Sequence, residues 1–264
     1  MATHLLIVDP QNDFCDIAGA TLPVKGADAD MHRLAAFVRR CGDRLDAITV
    51  TLDSHSPVHV AHPSWWQDAN GASPPAFTAI TAHDVENGRW RTRDPARQAS
   101  SLAYVRDLER GGRYVLVIWP EHCLVGSWGH NIHGALKAEL DAWSRKHLRP
   151  VDIVIKGLNP NTEHYSAVKA EVPDPADPDT GVNRRFVDSV AAADRLLVAG
   201  EALSHCVAAT VRDLDEEVPG LAKRTTLLTD ASCPVGGFEQ LGRDFVGALT
   251  AKGMSCATTE DVAP

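Results

Sequence analysis

Short apolar runs alternate along this chain with segments whose apolar residues recur at helical spacing. The runs lie at 4–8, 47–52, 114–118, 151–155, 196–199 and 224–228, and the helical segments at 28–40, 101–110, 132–143, 188–193, 207–214 and 239–252. Strands that alternate with helices form a parallel sheet covered on both faces. We therefore predict an α/β fold with three layers, α/β/α, and a mainly parallel central sheet.

Length and composition favour one domain over residues 1–264. A chain of 264 residues with 44% hydrophobic content can bury a large core. Two segments, 63–92 and 173–185, are rich in Pro and lack a clean period, so we predict long loop excursions there.

Charge and cysteine usage narrow the function classes. A net charge of −9 without a Lys/Arg-rich run argues against nucleic acid or an anionic membrane as partner and favours a small molecule. The chain lacks an apolar run long enough to span a bilayer and a basic region before its first apolar run, so we expect a cytoplasmic protein. Six cysteines without CxxC spacing are expected to be free thiols. We also expect a homo-oligomer.

Cys206 lies where a predicted strand passes into a predicted helix. The run 196–199 ends at Gly200, and the helical pattern starts at 207. Backbone N–H groups at a helix N-terminus favour negative charge, so this position could lower the pKa of the thiol and hold an oxyanion. A small buried apolar cysteine is the alternative interpretation.

Other predicted strands also end in residues that can carry chemistry. Asp9, Asp53 with His55, the segment 119–122 and Lys156 each follow an apolar run. Each residue alone could be an ordinary loop acid, surface lysine or surface histidine. Because open α/β sheets bind ligands at the carboxyl ends of their strands, we expect these groups to converge, with His122 arriving from a neighbouring strand end.

Five motifs occupy these loops. They are Asp9-Pro10-Gln11-Asn12-Asp13-Phe14-Cys15, Asp53-Ser54-His55-Ser56-Pro57-Val58-His59, Trp119-Pro120-Glu121-His122-Cys123, Lys156-Gly157 with Tyr165-Ser166-Ala167, and Gly200-Glu201-Ala202-Leu203-Ser204-His205-Cys206-Val207. In content and order they resemble the isochorismatase-like cysteine hydrolases, and within them the nicotinamidases (pyrazinamidases). The Trp-Pro-x-His-Cys motif is the most specific of the five, because members of this superfamily that have no metal site generally lack it.

The resemblance implies an isochorismatase-like fold and a hydrolase that converts nicotinamide to nicotinate and ammonia through a cysteine thioester. It implies Cys206 as nucleophile, Asp9 as general base and later proton donor, and Lys156 as the cation beside the thiolate. Backbone N–H groups of Ala202 and Cys206 would form the oxyanion hole, beside a cis peptide bond between Glu201 and Ala202.

The resemblance also implies a substrate-anchoring metal. Its ligands would be Asp53, His55 and His122, with His59 preferred to His62 as the fourth. This set of N and O donors suits Zn²⁺ first, with Fe²⁺ or Mn²⁺ as alternatives. In the family the metal binds the pyridine nitrogen.

The resemblance further implies a substrate ring between aromatic side chains. These side chains would be Phe14, Trp119 and Tyr165.

Some residues depart from the family pattern. Ser54 replaces a frequent aromatic residue, Glu201 a usual small apolar one, and Ser204-His205 a more usual Asp-Tyr pair. Three alternatives therefore stay open: the same chemistry on another small amide, a non-catalytic metal- or ligand-binding relative, and a catalytic metal with a structural Cys206.

Overall fold

A six-stranded parallel sheet forms the centre of the protein, in a computed structural model that describes residues 2–262. The strands of the described chain are β1 (Thr3–Val8), β2 (Ala47–Asp53), β3 (Trp66–Gln67), β4 (Ala79–Ile80), β5 (Arg91–Thr92), β6 (Leu116–Val117), β7 (Asp152–Lys156), β8 (Arg195–Gly200), β9 (Thr225–Leu228) and β10 (Ser255–Ala257). The order across the central sheet is β10-β9-β8-β1-β2-β7, and every neighbouring pair is parallel.

Helices alternate along the chain with the strands of the central sheet. They are α1 (Ala27–Cys41), α2 (Ala82–Glu86), α3 (Gln98–Gly111), α4 (Gly134–His147), α5 (Arg184–Ala191), α6 (Ala208–Glu217) and α7 (Glu239–Ala251). The path from β1 to β2 and the path from β8 to β9 run in opposite directions across the sheet, so their crossover helices lie on opposite faces. In agreement, α1 packs on α4, and α6 packs on α7. The predicted three-layer fold is confirmed.

The core follows from this arrangement. Every residue of β1 is buried, because the strand is central and both faces are covered. Each such Leu, Ile or Val contributes about 1.5–3 kcal/mol relative to an exposed position. At the sheet edge the pattern changes: Ile153 and Ile155 of β7 are 46% and 54% exposed.

One strand prediction was wrong, and the error affects the site. The run 114–118 does not join the central sheet; only Leu116–Val117 is a strand, and it pairs antiparallel with Ala79–Ile80. Backbone groups of this segment form hydrogen bonds with residues 61–80 instead of with the central sheet. Phe77 N donates to Ile118 O, and Trp119 N donates to Ala61 O. His122 therefore does not arrive from a neighbouring strand end of the sheet.

The two predicted excursions contain short elements of their own. Within 63–92 lie β3, β4, β5 and α2, and within 173–185 lies a 3-10 turn at Pro178–Thr180 followed by the start of α5. Among the helices of residues 2–262, none has the length and apolar character needed to cross a membrane.

Candidate active site

The three predicted catalytic side chains meet at the carboxyl edge of the sheet. Asp9 directly follows β1, Lys156 is the last residue of β7, and Cys206 lies between β8 and α6. The ammonium Nζ of Lys156 is 2.9 Å from Asp9 Oδ2 and 3.6 Å from Cys206 Sγ. All three side chains are buried, at 0%, 2% and 5% exposure. The arrangement brings a thiol, a carboxyl group and an ammonium group together in the buried interior.

A glycine allows β1 and β8 to end so close together. Gly200 has φ +110°, and a Cβ at that position would lie 2.0 Å from Val8 O. Only glycine tolerates both the left-handed backbone and this approach. The tight contact brings the residue after β1, Asp9, beside the turn that carries Cys206.

The turn after Gly200 carries Cys206, the predicted nucleophile. Residues Leu203–Val207 form one π-helical turn that continues into α6, and such turns are frequent at functional sites. The peptide bond between Glu201 and Ala202 is cis, as the resemblance implies. Within residues 2–262 the amide of Ala202 has no hydrogen-bond partner, so it is available to an oxyanion.

Burial sets the protonation states of the three groups. It raises the pKa of Cys206 well above its usual range; the nearby Lys156 charge opposes this, and Asp9, to which the thiol donates, adds to it. The expectation that the helix N-terminus lowers this pKa is therefore wrong. Burial also raises the pKa of Asp9, while Lys156 and Thr51 oppose that shift. The pKa of Lys156 is raised, since Asp53 and Asp9 outweigh its burial. Cys206 therefore rests as a thiol, next to a carboxyl group able to accept its proton.

A second cluster of buried side chains adjoins this trio. Ligand atoms of Asp53, His55 and His122 lie within 4.8 Å of one another. Asp53 Oδ2 is 3.6 Å from His55 Nδ1 and 3.4 Å from His122 Nε2, and its Oδ1 is 3.0 Å from Lys156 Nζ. Both ring nitrogens of His55 are buried without a hydrogen-bond partner among residues 2–262. A carboxylate with unsatisfied imidazoles is the donor set of a divalent metal site, so these residues fit one.

The fourth predicted ligand is less suited than its neighbour. Both ring nitrogens of His59 are occupied: Nδ1 accepts from Ala61 N at 3.2 Å, and Nε2 lies 3.2 Å from Thr162 O. His62 contacts Pro57 O through Nδ1, and its buried Nε2 has no partner within residues 2–262. Burial lowers the pKa of His59 to about 3 and that of His62 to about 2, so both are neutral. The hydrogen bonds favour His62 over His59.

Bridging backbone contacts bring His122 to this cluster. His55 N donates to Cys123 O, and Val125 N donates to His55 O, so the chain after His122 lies beside the end of β2. His122 Nδ1 donates to Pro120 O at 2.8 Å, which directs Nε2 toward Asp53. Such a contact to the second ring nitrogen orients metal-binding histidines in general.

The first motif serves mainly to hold the other loops in place. The side chain of Gln11 pairs with the backbone of Asp53, donating to its O and accepting from its N. Asp13 Oδ2 accepts from Cys123 N at 2.7 Å. The Gln11 amide and the Asp13 carboxylate thus hold the loops at Asp53 and Cys123 in place relative to β1.

A small pocket connects the two clusters. Its wall combines the catalytic turn, the metal cluster and flat apolar groups, namely Phe14, Leu22, Asp53, Trp119, His122, Glu163, Tyr165, Ala202, His205, Cys206 and Val235. Trp119 Nε1 donates to Tyr165 OH at 3.0 Å, which fixes both rings. All three predicted ring-binding residues, Phe14, Trp119 and Tyr165, line the pocket.

Two polar residues of the pocket, Glu163 and His205, were not predicted from the sequence. Glu163 is buried, accepts from His164 N and has Oε1 3.8 Å from His55 Nε2; contact with His55 outweighs burial and lowers its pKa to about 2. His205 packs edge-on against Trp119 and stacks on Tyr114, and burial lowers its pKa to about 4. Glu163 lies in an irregular loop without a period, whereas the position of His205 beside Cys206 was an available signal.

Known proteins resemble the chain in sequence and in fold. No family model matches it. Over 216 residues it is 27% identical to the nicotinamidase of Escherichia coli (strain K12), a match that covers 79% of this chain and 74% of that protein. The yeast nicotinamidase Pnc1p aligns with a TM-score of 0.66 and 21% identity, covering 97% and 99% of the two chains. The pyrazinamidase of Pyrococcus horikoshii in complex with zinc aligns with a TM-score of 0.59 and 17% identity, covering 98% and 99%. The chain therefore has the isochorismatase-like α/β fold of these nicotinamidases and pyrazinamidases, and the resemblance seen in its motifs is confirmed.

Proposed function

We propose that the protein hydrolyses nicotinamide to nicotinate and ammonia, with Cys206 as nucleophile and a divalent metal as substrate anchor. One observation carries the proposal. Lys156 Nζ contacts Asp9, Asp53 and Cys206 at once, so the nucleophile set and the metal-ligand set form one continuous site. The relatives named nicotinamidase support the substrate.

Acyl transfer begins with a proton transfer. Asp9 accepts the thiol proton, and Cys206 Sγ attacks the carboxamide carbon. Backbone N–H groups of Ala202 and Cys206 donate to the developing oxyanion. Asp9 then gives its proton to the departing amine, so ammonia leaves and a thioester remains. Water, deprotonated by Asp9, attacks the thioester, and Asp9 returns this proton to the Cys206 sulfur as the carbon–sulfur bond breaks. The product acid loses its proton to solvent and leaves as nicotinate.

Lys156 stabilises charge during these steps. It is held by Asp9, Asp53 and the carbonyl of His164 at 2.9–3.0 Å, so it cannot swing away. In a buried site a fixed ammonium favours the thiolate when the proton moves to Asp9.

The metal would be held by Asp53, His55 and His122, with His62 rather than His59 as the fourth side chain. When bound, a divalent ion supplies a Lewis-acidic position for a pyridine nitrogen. Zn²⁺ is the proposed ion, since the Pyrococcus horikoshii structure is a zinc complex, and Fe²⁺ or Mn²⁺ are the alternatives.

Substrate orientation follows from the positions of the two clusters. Phe14, Trp119 and Tyr165 surround a ring whose nitrogen faces the metal ligands and whose carboxamide faces Cys206. His205, which is neutral, adds a further flat wall. We propose these four side chains as the ring-binding residues.

An amide panel with metal analysis tests the proposal. Ammonia release from nicotinamide and benzamide is measured on one preparation whose metal content is known. Because benzamide lacks the ring nitrogen, we expect nicotinamide to be strongly preferred. His122→Ala should lose metal and raise KM for nicotinamide, since it removes a binding contact. Equal turnover of the two amides would favour the alternative of another small amide, and metal binding without turnover of any amide would favour a non-catalytic relative.

A further inference from the structure

A buried carboxyl pair lies behind the catalytic turn. Glu201, the residue between Gly200 and Ala202, is 0% exposed, and Asp30 of α1 is 1% exposed. The two side chains are within hydrogen-bonding contact. Neither residue takes part in the proposed chemistry, and Glu201 departs from the family pattern.

The hydrogen bonds around the pair leave two oxygen atoms unsatisfied. Glu201 Oε2 accepts from Cys233 N at 3.2 Å, and Asp30 Oδ1 pairs with Arg33. The remaining atoms, Glu201 Oε1 and Asp30 Oδ2, are buried without a partner among residues 2–262. Two ionised carboxylates cannot satisfy each other, whereas one proton between them satisfies both oxygen atoms.

The charges of the neighbouring groups lead to the same protonation state. The other titratable groups near the pair are Arg33, Asp16, Asp28, Cys15 and Cys233. Arg33 is the one cation in this group, and it balances a single carboxylate. A second buried negative charge would be uncompensated, which is costly. Burial accordingly raises the pKa of Glu201 well above its usual range, and Asp30 raises it further.

Glu201 joins three segments around the active site. Its backbone N donates to Val8 O at 2.7 Å, next to Asp9. Its side chain reaches Asp30 on α1 and the amide of Cys233, whose carbonyl in turn accepts from Leu203 N at 2.9 Å. The turn that carries the free amide of Ala202 is thereby tied to α1 and to the loop at 231–235.

We propose that Glu201 and Asp30 share one proton, and that this neutral-plus-anionic pair is a positioning device for the 200–203 turn. Glu201 contributes as a hydrogen-bond donor to Asp30 and an acceptor from Cys233, with no contact to substrate. Only the consequence for catalysis rests on the proposed function; the shared proton and the anchoring of the turn do not.

The sign of the pH effect follows from the raised pKa. The folded protein keeps a proton on the pair that the unfolded chain loses near pH 4.5. The stabilisation is therefore full below that pH and is lost as pH rises through the folded pKa. Glu201→Gln replaces the acid by an amide that donates and accepts in the same places but does not titrate.

Infrared difference spectroscopy tests the proton directly. The wild-type spectrum minus that of Glu201→Gln at neutral pH should contain the carbonyl band of a protonated carboxyl group. The exposed control Glu260→Gln should not remove this band. Asp30→Asn offers a second variant should Glu201→Gln fail to fold, and it should alter the same band. A band that persists in both Glu201→Gln and Asp30→Asn would overturn the shared proton.

Hydrogen exchange tests the anchoring without any use of activity. Peptides covering 200–206 and 231–235 should exchange faster in Glu201→Ala than in Glu201→Gln, because the alanine breaks the link to Cys233. Equal exchange in these two variants would overturn the positioning role. If nicotinamide is a substrate, kcat of Glu201→Ala should fall about tenfold below that of Glu201→Gln with little change in KM, as for a weakened oxyanion site. Failure of the proposed function would leave the spectroscopic and exchange results intact.

Discussion

Lys156 Nζ lies 2.9 Å from Asp9 Oδ2, and both side chains are buried at 2% and 0% exposure. The contact joins the ends of β1 and β7, two strands that are not neighbours in the sheet, because β2 lies between them. The Lys156 side chain thus extends past the end of β2, where it also contacts Asp53. This one cation holds the proposed general base, Asp9, and the proposed metal ligand, Asp53, at fixed positions.

Replacing the carboxyl group tests its role as a base. Asp9→Asn should lower kcat for nicotinamide by about 100- to 10,000-fold, because the thiol proton then has no acceptor. KM should change little, since Asp9 does not line the ring pocket. Steady-state kinetics measures both, with the exposed Asp43→Asn as control. A variant that retains most of its kcat would rule out Asp9 as the base.

Replacing Thr51, which hydrogen-bonds to Asp9, should lower kcat less than replacing Asp9 itself. Thr51 Oγ1 donates to Asp9 Oδ1 and accepts from Asp9 N at 3.0 Å. Thr51→Val removes both contacts with little change of volume, so kcat should fall less than in Asp9→Asn. The same kinetic measurement checks this order, and a larger loss in Thr51→Val would contradict it.

The two histidines near the metal cluster should differ. Within residues 2–262, His62 Nε2 has no hydrogen-bond partner, whereas both nitrogens of His59 are hydrogen-bonded. His62→Ala should therefore weaken metal binding more than His59→Ala does. Zinc titration of metal-stripped protein, followed by metal analysis, measures the two affinities. A greater loss of zinc affinity in His59→Ala would favour His59 as the fourth ligand, as the family resemblance implies.

A half-buried acid, Glu171, should make stability depend on pH. Burial raises the pKa of Glu171 to about 8, against the opposing charge of Arg113, and its Oε1 has no partner among residues 2–262. The unfolded chain loses this proton near pH 4.5, so stability falls as pH rises from there to about 8. Glu171→Gln should therefore raise Tm relative to wild type by an amount that grows over this interval. Thermal unfolding at several pH values measures it, and a constant difference would contradict the assignment.

Much of this site could be predicted because its residues follow regular elements. Asp9 and Lys156 come directly after an apolar run, Cys206 lies in the turn that follows another, and parallel strands place their carboxyl ends at one edge. Sequence periodicity was sufficient for that inference. The pKa of Cys206 was not predictable, because it depends on burial and on Asp9, which only the packed structure brings together.

The features of the site that the sequence misplaced or missed belong to irregular backbone. His122 reaches the metal cluster through a bridge at His55, and the segment before it pairs with the loop at 77–80 instead of the sheet. Glu163 likewise lies in a loop between β7 and α5. Loop paths depend on long-range hydrogen bonds, which a local hydrophobic pattern does not encode.

Ammonia release by Cys206→Ala tests the central claim, that this thiol carries the hydrolysis of nicotinamide. Its control is Cys256→Ala, which removes an exposed thiol in the edge strand β10. We expect Cys256→Ala to match wild type and Cys206→Ala to release no measurable ammonia, while both keep the wild-type metal content. Substantial turnover by metal-loaded Cys206→Ala would contradict the account and assign the hydrolysis to a metal-activated water.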